Sequence, residues 1–251
     1  MKHLMMPVVL LCVAITPCWA GFNEGKAAYA RGDYAMALSE FLPLALQGHI
    51  AAQCQLGYMY HTGQGVSRDH AEAAKWYQRA AEQGLAVAQL NLGAMYEYGM
   101  TGAPRDYVVA AQWYRKAAEQ GDPRAQYALG TMYDRGTGVP QSFHEALTWY
   151  RRAADLGLVE AQEMLSGVYT LGVPDEMSKD NAQAVYWERR AAEQGAAKSM
   201  GMLGIRYEFG DGVLKDLVQA YMWYNLAVAY GNERDGGHDS ARLSAATRNC
   251  M

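Results

Sequence analysis

Glycines at positions 84, 121, 157, 195 and 231 close five similar stretches of sequence, and this internal period of about 36 residues limits the folds open to the chain. The units run His49–Gly84, Leu85–Gly121, Asp122–Gly157, Leu158–Gly195 and Ala196–Gly231. A period of this size denotes stacked supersecondary units, none able to bury its apolar face alone. In the third unit Ala125, Leu129 and Tyr133 recur at i, i+4 and i+8, one stripe of an α-helix. Gly130 sits beside that stripe, where a missing side chain lets a neighbouring helix come close. The same stripe reads Ala52, Leu56, Gly57, Tyr60 and Ala88, Leu92, Gly93, Tyr96. It loosens to Ala161, Leu165, Ser166, Tyr169 and Ser199, Leu203, Gly204, Tyr207.

A second helix follows in each unit. Asp69, Asp106, Ser142, Asp180 and Asp216 are suited to its N-cap. Glu72, Glu145, Gln183 and Gln219 stand three residues later, the spacing of a capping box, with Val109 the exception. Alanines 73, 110, 146, 184 and 220 come next, then tryptophans 76, 113, 149, 187 and 223. Each closing glycine suits a left-handed helix end, and Arg79, Lys116 and Arg152 lie toward the negative pole of the helix. The expected fold class is therefore all-α, a solenoid of helix–turn–helix repeats, with no segment that alternates long enough for a strand. Residues 21–48 read as a shorter hairpin capping the N-terminal end, and residues 232–251 as a flexible tail in which Ser240–Arg248 can form one short helix.

Taken together, A-x-x-x-L-G-x-x-Y, then G-x-G-V, then D-x-x-x-A-x-x-W-Y-x-x-A-A-x-x-G resembles the Sel-one-like repeat family, relatives of tetratricopeptide repeats with a longer turn between the helices. The resemblance covers roughly residues 23–231. It implies a right-handed superhelix and a scaffold or adaptor that works through protein–protein contacts, often in bacterial envelopes. Three departures stand out. The second unit has an extra residue near Gly99–Ala103, the fourth has Gly172-Val173-Pro174 followed by Asp175-Glu176, and Glu188 replaces the usual tyrosine.

The N-terminus reads as an export signal. Lys2 and His3 precede an apolar run from Leu4 to Ile15, and Ala20 is a suitable last residue before cleavage. That run is too short for a membrane-spanning helix, and Pro17 before Cys18 argues against lipidation. Residues 1–20 are thus expected to be removed, leaving no membrane span and a periplasmic or secreted product. Their loss takes Lys2 and moves the net charge from −4 to −5. An acidic chain with no basic stripe does not favour nucleic acid. Cys54 and Cys250 remain after cleavage. A disulfide needs Cα atoms within about 7 Å, and a five-hairpin stack holds these residues apart unless the tail folds back. Cys54 is therefore expected to be a small core residue, and Cys250 a free or intermolecular thiol.

No residues are assigned to catalysis, to a metal or to a cofactor. Zinc needs three or four converging ligands, and His49, His61, His70, His144 and His238 show no i, i+4 pair. No Gly-Lys-Ser/Thr follows the glycine turns, and there is no G-x-S-x-G elbow or H-E-x-x-H helix. The tryptophans all occupy one repeat position, so packing between hairpins accounts for them. The candidate site is the face of the first helices, concave in tetratricopeptide repeats, where side chains change from unit to unit. It comprises Tyr58, His61, Glu97, Tyr98, Arg124, Tyr127, Asp134, Arg135, Glu163 and Glu208, facing a protein or peptide partner. Rival readings are a regulator of a membrane sensor or assembly, using the same surface, and a β-lactam-binding or cell-wall hydrolase-like enzyme.

Overall fold

A computed structural model describes residues 18–102, 104–173 and 177–235. The expected leader falls outside it, apart from Cys18-Trp19-Ala20 in the first turn of α1, and so do residues 236–251. Among the described residues twelve α-helices follow one another: α1 Cys18–Ala30, α2 Tyr34–Leu46, α3 Ile50–Thr62, α4 His70–Glu82, α5 Ala86–Tyr98, α6 Tyr107–Glu119, α7 Pro123–Arg135, α8 Phe143–Asp155, α9 Val159–Leu171, α10 Asn181–Glu193, α11 Ala197–Phe209 and α12 Leu217–Asp235. Each packs on the helix before it and the helix after it, which makes the chain an α-solenoid of six hairpins. Among the described residues the one departure from helix and turn is a single antiparallel bridge between Val173 and Met177, in the altered turn of the fourth unit.

Small residues set the geometry of each hairpin. A Cβ on Gly57, Gly93, Gly130 or Gly204 would lie 2.5–2.8 Å from a ring carbon of Tyr77, Tyr114, Tyr150 or Tyr224. The close approach anticipated beside Leu129 is thus made by the tyrosine of the same unit's second helix. Gly25 opposite Phe41 repeats the arrangement in the N-terminal hairpin. The second glycine of the turn joins neighbouring units instead. Gly138 lies against the Tyr107 carbonyl and Gly212 against that of Asn181, both with φ above +70°.

The N-caps are as expected, with the side chains of Asp69, Asp106, Ser142 and Asp180 accepting from the amide three residues on. The other half of the capping box does not form. The cap residue's own N–H donates across the hairpin to the carbonyl of Tyr60, Tyr96, Tyr133, Tyr169 or Tyr207 at 2.9–3.0 Å, so no donor is left for the residue at N3. Val109 can therefore replace a glutamate there. Each tryptophan packs back on the preceding hairpin, as when Trp76 joins Ala28, Phe41 and Leu56. Basic side chains cover the indoles of Trp76, Trp113, Trp149 and Trp187, with Lys116 Nζ 4.0 Å from the Trp113 ring centre.

Buried glutamines bind the stack together. The Nε2 groups of Gln53, Gln89, Gln126 and Gln162 donate to the carbonyls of Ala45, Ala81, Ala118 and Ala154 on the previous unit, at 3.0–3.1 Å. Gln83, Gln120 and Gln194, just past the ends of α4, α6 and α10, then donate to Gln53, Gln89 and Gln162 at 2.7–2.9 Å.

One boundary is corrected. The sequence reading ends the last helix at Gly231, as at the other closing glycines, but α12 continues to Asp235. Gly231 lacks the positive φ of Gly84, Gly121, Gly157 and Gly195. Those four glycines turn the chain back so that the next first helix can dock. At Gly231 no described helix follows, and the helical hydrogen bonding runs on.

The third unit lacks one rung of the glutamine series. Leu156 occupies the position of Gln83, Gln120 and Gln194, and the buried Oε1 of Gln126 has no hydrogen-bond partner. Leu156 is itself exposed, so replacing it removes little buried surface. Leu156→Gln is expected to stabilise the chain by about 1 kcal/mol, the net value of one such bond, read as a higher urea midpoint.

Candidate protein-binding face

In the first helices the buried positions are those of the repeat's alanine, glutamine and leucine, of the glycine that meets the tyrosine, and of Met59, Met95, Met132 and Arg206. The rest of the helix surface presents a second stripe, spaced i, i+4, i+7. In α3 it holds Cys54, Tyr58 and His61; in α5 Leu90, Ala94 and Glu97; in α7 Tyr127, Thr131 and Asp134. It continues as Glu163, Gly167 and Thr170 in α9 and as Gly201, Ile205 and Glu208 in α11. Tyr58, His61, Glu97, Tyr127, Asp134, Glu163 and Glu208 thus fall on one stripe. Tyr98 and Arg135 stand one residue beyond it, and Arg124 three residues before Tyr127. The nominated residues share one side of the first-helix layer, but they are not equally available.

Tyr98 is 57% exposed and Arg135 is also exposed. Tyr58 is half-buried between the first two core clusters, its ring 6.2 Å from that of Tyr29. Tyr127 packs against Tyr150 at 5.5 Å, Arg124 lies 3.8 Å from Asp122, and Glu163 accepts from Ser199 Oγ at 3.3 Å. The backbone carbonyl of Asp134 accepts from Gln141 Nε2. Glu97 and Glu208 accept from the hydroxyls of Tyr114 and Tyr224, each at 2.6 Å. These tyrosines come from the second helices. The glycine opposite lets each ring pass through the layer, so that its hydroxyl reaches the stripe. Tyr150 does the same and donates to Thr131 at 3.3 Å.

Phenols held this way stay protonated. Burial, with Glu97 adding to it, pushes Tyr114 far above the ordinary value. Tyr150 is pushed up to about 12, mainly by burial. Tyr224 is raised chiefly by its bond to Glu208. The face therefore offers neutral donors, carboxylate acceptors and aromatic surface rather than an activated nucleophile.

In the fourth unit the pattern is rewritten as a set. Glu188 replaces the tyrosine, Ser166 the glycine, and Arg206 takes the position held by Met59, Met95 and Met132. Arg206 and Glu188, both about 2% exposed, form a buried ion pair at 3.1 Å. Ser166 Oγ donates to Glu188 at 2.8 Å, and Arg206 also reaches Asp211 at 2.7 Å and the hydroxyl of Thr170. The sequence marks Glu188 as a departure. Its partner is hidden there because it lies in the next unit.

Other features were not legible. His61 and His70 bring their rings to 4.9 Å, although they lie on different helices. No group of three or more histidine, cysteine or carboxylate side chains able to hold a metal occurs among the described residues. Cys54 corrects the sequence reading, because it is disulfide-bonded as well as fully buried in the core. The expectation rested on the distance between the ends of the stack. Gln55 beside it is 1% exposed, with neither amide atom hydrogen-bonded, and the buried Nδ2 of Asn91, its counterpart in α5, is also unpartnered.

Two predictions follow from these contacts. Arg206→Met alone strands Glu188 and is expected to cost about 3–5 kcal/mol. The triple change Ser166→Gly, Glu188→Tyr, Arg206→Met restores the pattern of the other units and is expected to recover most of the loss, measured by chemical denaturation. Burial, then His70 and Arg68, hold His61 below its ordinary value of 6.5. The unfolded chain then binds a proton more readily than the folded one, so this contribution to stability is present above pH 6.5 and lost as pH falls through that value and the lower folded one. His61→Gln should flatten the fall of the unfolding midpoint over this acidic range; an unchanged profile refutes the assignment.

Comparison with known proteins follows the same units. The Sel1 repeat model matches residues 50–85, 86–122, 123–158, 159–195 and 197–232. A Sel1 repeat protein from Oxalobacter formigenes is 40% identical, with 84% of each chain covered and a TM-score of 0.76. The crystal structure of c5321, a protective antigen of uropathogenic Escherichia coli with an SLR fold, is 33% identical with a TM-score of 0.80. The match covers 85% of the present chain and 46% of that one, so the chain spans about half the antigen's length. The immunity protein Pa5087 of Pseudomonas aeruginosa, 20% identical with a TM-score of 0.50 over 85% of this chain and 81% of that one, shares the fold. No curated protein matches. Sel1 repeat proteins generally mediate protein–protein interaction and are typically non-catalytic scaffolds. With five repeats in register over most of its length, the chain belongs to the Sel1 repeat family.

Proposed function

We propose that this chain is a non-enzymatic adaptor of the bacterial cell envelope that holds a segment of a partner protein along the first-helix face. The observation that carries the proposal is the contrast between what repeats and what varies. Core alanines, leucines, glutamines and tyrosines recur in register, whereas the stripe beside them changes from aromatic to acidic to apolar. A stack needs its units alike where they touch, and a partner needs them different where it binds. In a tetratricopeptide-like superhelix this side of the stack is concave, which lets one extended segment meet successive units. Export rests on the N-terminal signal pattern and places the adaptor in the periplasm or outside the cell. The antigen character of the E. coli relative supports that placement, since a protective antigen has to be reached from outside.

Affinity capture of the processed chain from crosslinked cell envelopes tests the reading, with Tyr98→Ala/Arg135→Ala as its control. Both side chains are exposed, so the variant should unfold at the same temperature as the parent while losing the captured partner. Equal capture by parent and variant refutes this placement of the binding face. Processed protein confined to the cytoplasm refutes the envelope assignment.

A further inference from the structure

We propose that the outer face of α12 is a dimer interface whose occupant is the α12 of a second copy of this chain. The inference is independent of the first-helix face and gives the stack a second interaction surface at its far end.

Among the described residues α12 packs on α11 and leaves its other side open. Leu217, Val218, Tyr221, Met222, Asn225 and Val228 line that side at helical spacing, all exposed and none charged. The terminal unit of a repeat stack needs a polar outer face to stay soluble, and this one is apolar. In the other second helices the next unit covers the corresponding surface. Ala45, Ala81, Ala118, Ala154 and Ala192 stand at the position of Val228 and are at most 2% exposed, Ala81 lying with Ala88 and Leu92 of the following helix. Val228 is 63% exposed.

A further hairpin of the same repeat does not fit this face. Val228 adds two carbons where the docking of a first helix takes alanine. Arg115, Arg151 and Arg189 donate to the hydroxyls of Tyr133, Tyr169 and Tyr207 in the next unit, whereas α12 has Asn225 at that position, too short for the same bond. Lys75 and Gln112 face water at the position of Met222, so the apolar patch reaches over surface that another repeat leaves uncovered.

The patch has the size and symmetry of an interface between copies. Leu214, 90% exposed in the turn before the helix, extends it. At about 200 Å² for a large side chain, the exposed parts of Leu214 and the five large apolar residues of the stripe come to about 800 Å². That exceeds the largest apolar patch of an ordinary monomer, about 300–600 Å², and matches one partner's share of a standard interface, about 800 Å². An uncharged stripe on one helix is complementary to itself. Laid antiparallel about a two-fold axis, it sets Leu217 and Val218 of one copy against Val228 of the other, with Tyr221 and Met222 at the centre. Residues 236–251 include only Leu243 and Met251 as large apolar side chains, too few to cover the patch in place of a second copy.

Sedimentation equilibrium of the full chain at micromolar concentration tests the proposal, alongside hydrogen exchange in α12. The variants are Tyr221→Glu/Val228→Glu, Asn225→Arg and Cys250→Ser. Expected are a dimer and slower exchange in α12 as protein concentration rises. The double glutamate variant should raise the dissociation constant roughly 100-fold. Asn225→Arg, which installs the residue that other units carry there, should weaken the dimer while the helical circular dichroism stays that of the parent. Cys250→Ser should leave the dimer intact. A monomer at every concentration overturns the proposal, whether α12 exchanges freely or is protected by the remainder of its own chain. A dimer indifferent to the α12 changes, or one lost with Cys250→Ser and therefore held by a disulfide, overturns it too.

Discussion

The contact between a glycine on each first helix and a tyrosine ring on the second underlies both the stack and its surface. It brings the two helices of a hairpin closer than side chains on both would permit. The ring fills the gap, and its hydroxyl passes through to the far side of the layer, where Glu97, Thr131 or Glu208 receives it. One packing decision therefore fixes the interhelical distance and supplies a hydrogen-bond donor to the binding face. Tryptophan serves the next level, closing each hairpin against the one before, and the buried glutamines add a directional bond to the preceding unit's last carbonyls.

Much of this is readable in the chain because the sequence samples the same problem five times. Leu129 beside Gly130 states a close approach, and Asp106 before an alanine and a tryptophan states a helix start. A single sequence does not reveal which bonds compete. The capping-box spacing at Asp69 and Glu72 implies a reciprocal bond, yet the Asp69 amide is taken by the Tyr60 carbonyl, nine residues back across the turn. Contacts between units are harder still. The Arg206–Glu188 pair and the facing of His61 and His70 depend on how elements meet, and nothing in local periodicity encodes that.

The candidate face shows the same division. Its stripe follows from helical spacing, so the nominated residues fall together. How available each one is depends on its neighbour: Tyr127 rests on Tyr150 and Glu97 is bound by Tyr114, whereas Tyr98 and Arg135 stand free of such cover. The least legible feature is the disulfide at Cys54, because no other unit carries a cysteine at that position. Periodicity reports what units have in common and says nothing of what one unit acquires alone.

That distinction bears on stability as well as recognition. In a stack where each unit meets only its neighbours, the terminal hairpins have one partner fewer and fray first. The bonds from Gln53 to Ala45 and from Gln162 to Ala154, and the buried Arg206–Glu188 pair, all cross from one unit to the next. Each therefore adds to the neighbour contacts on which the ends of the stack depend, and it does so with a direction that apolar packing lacks.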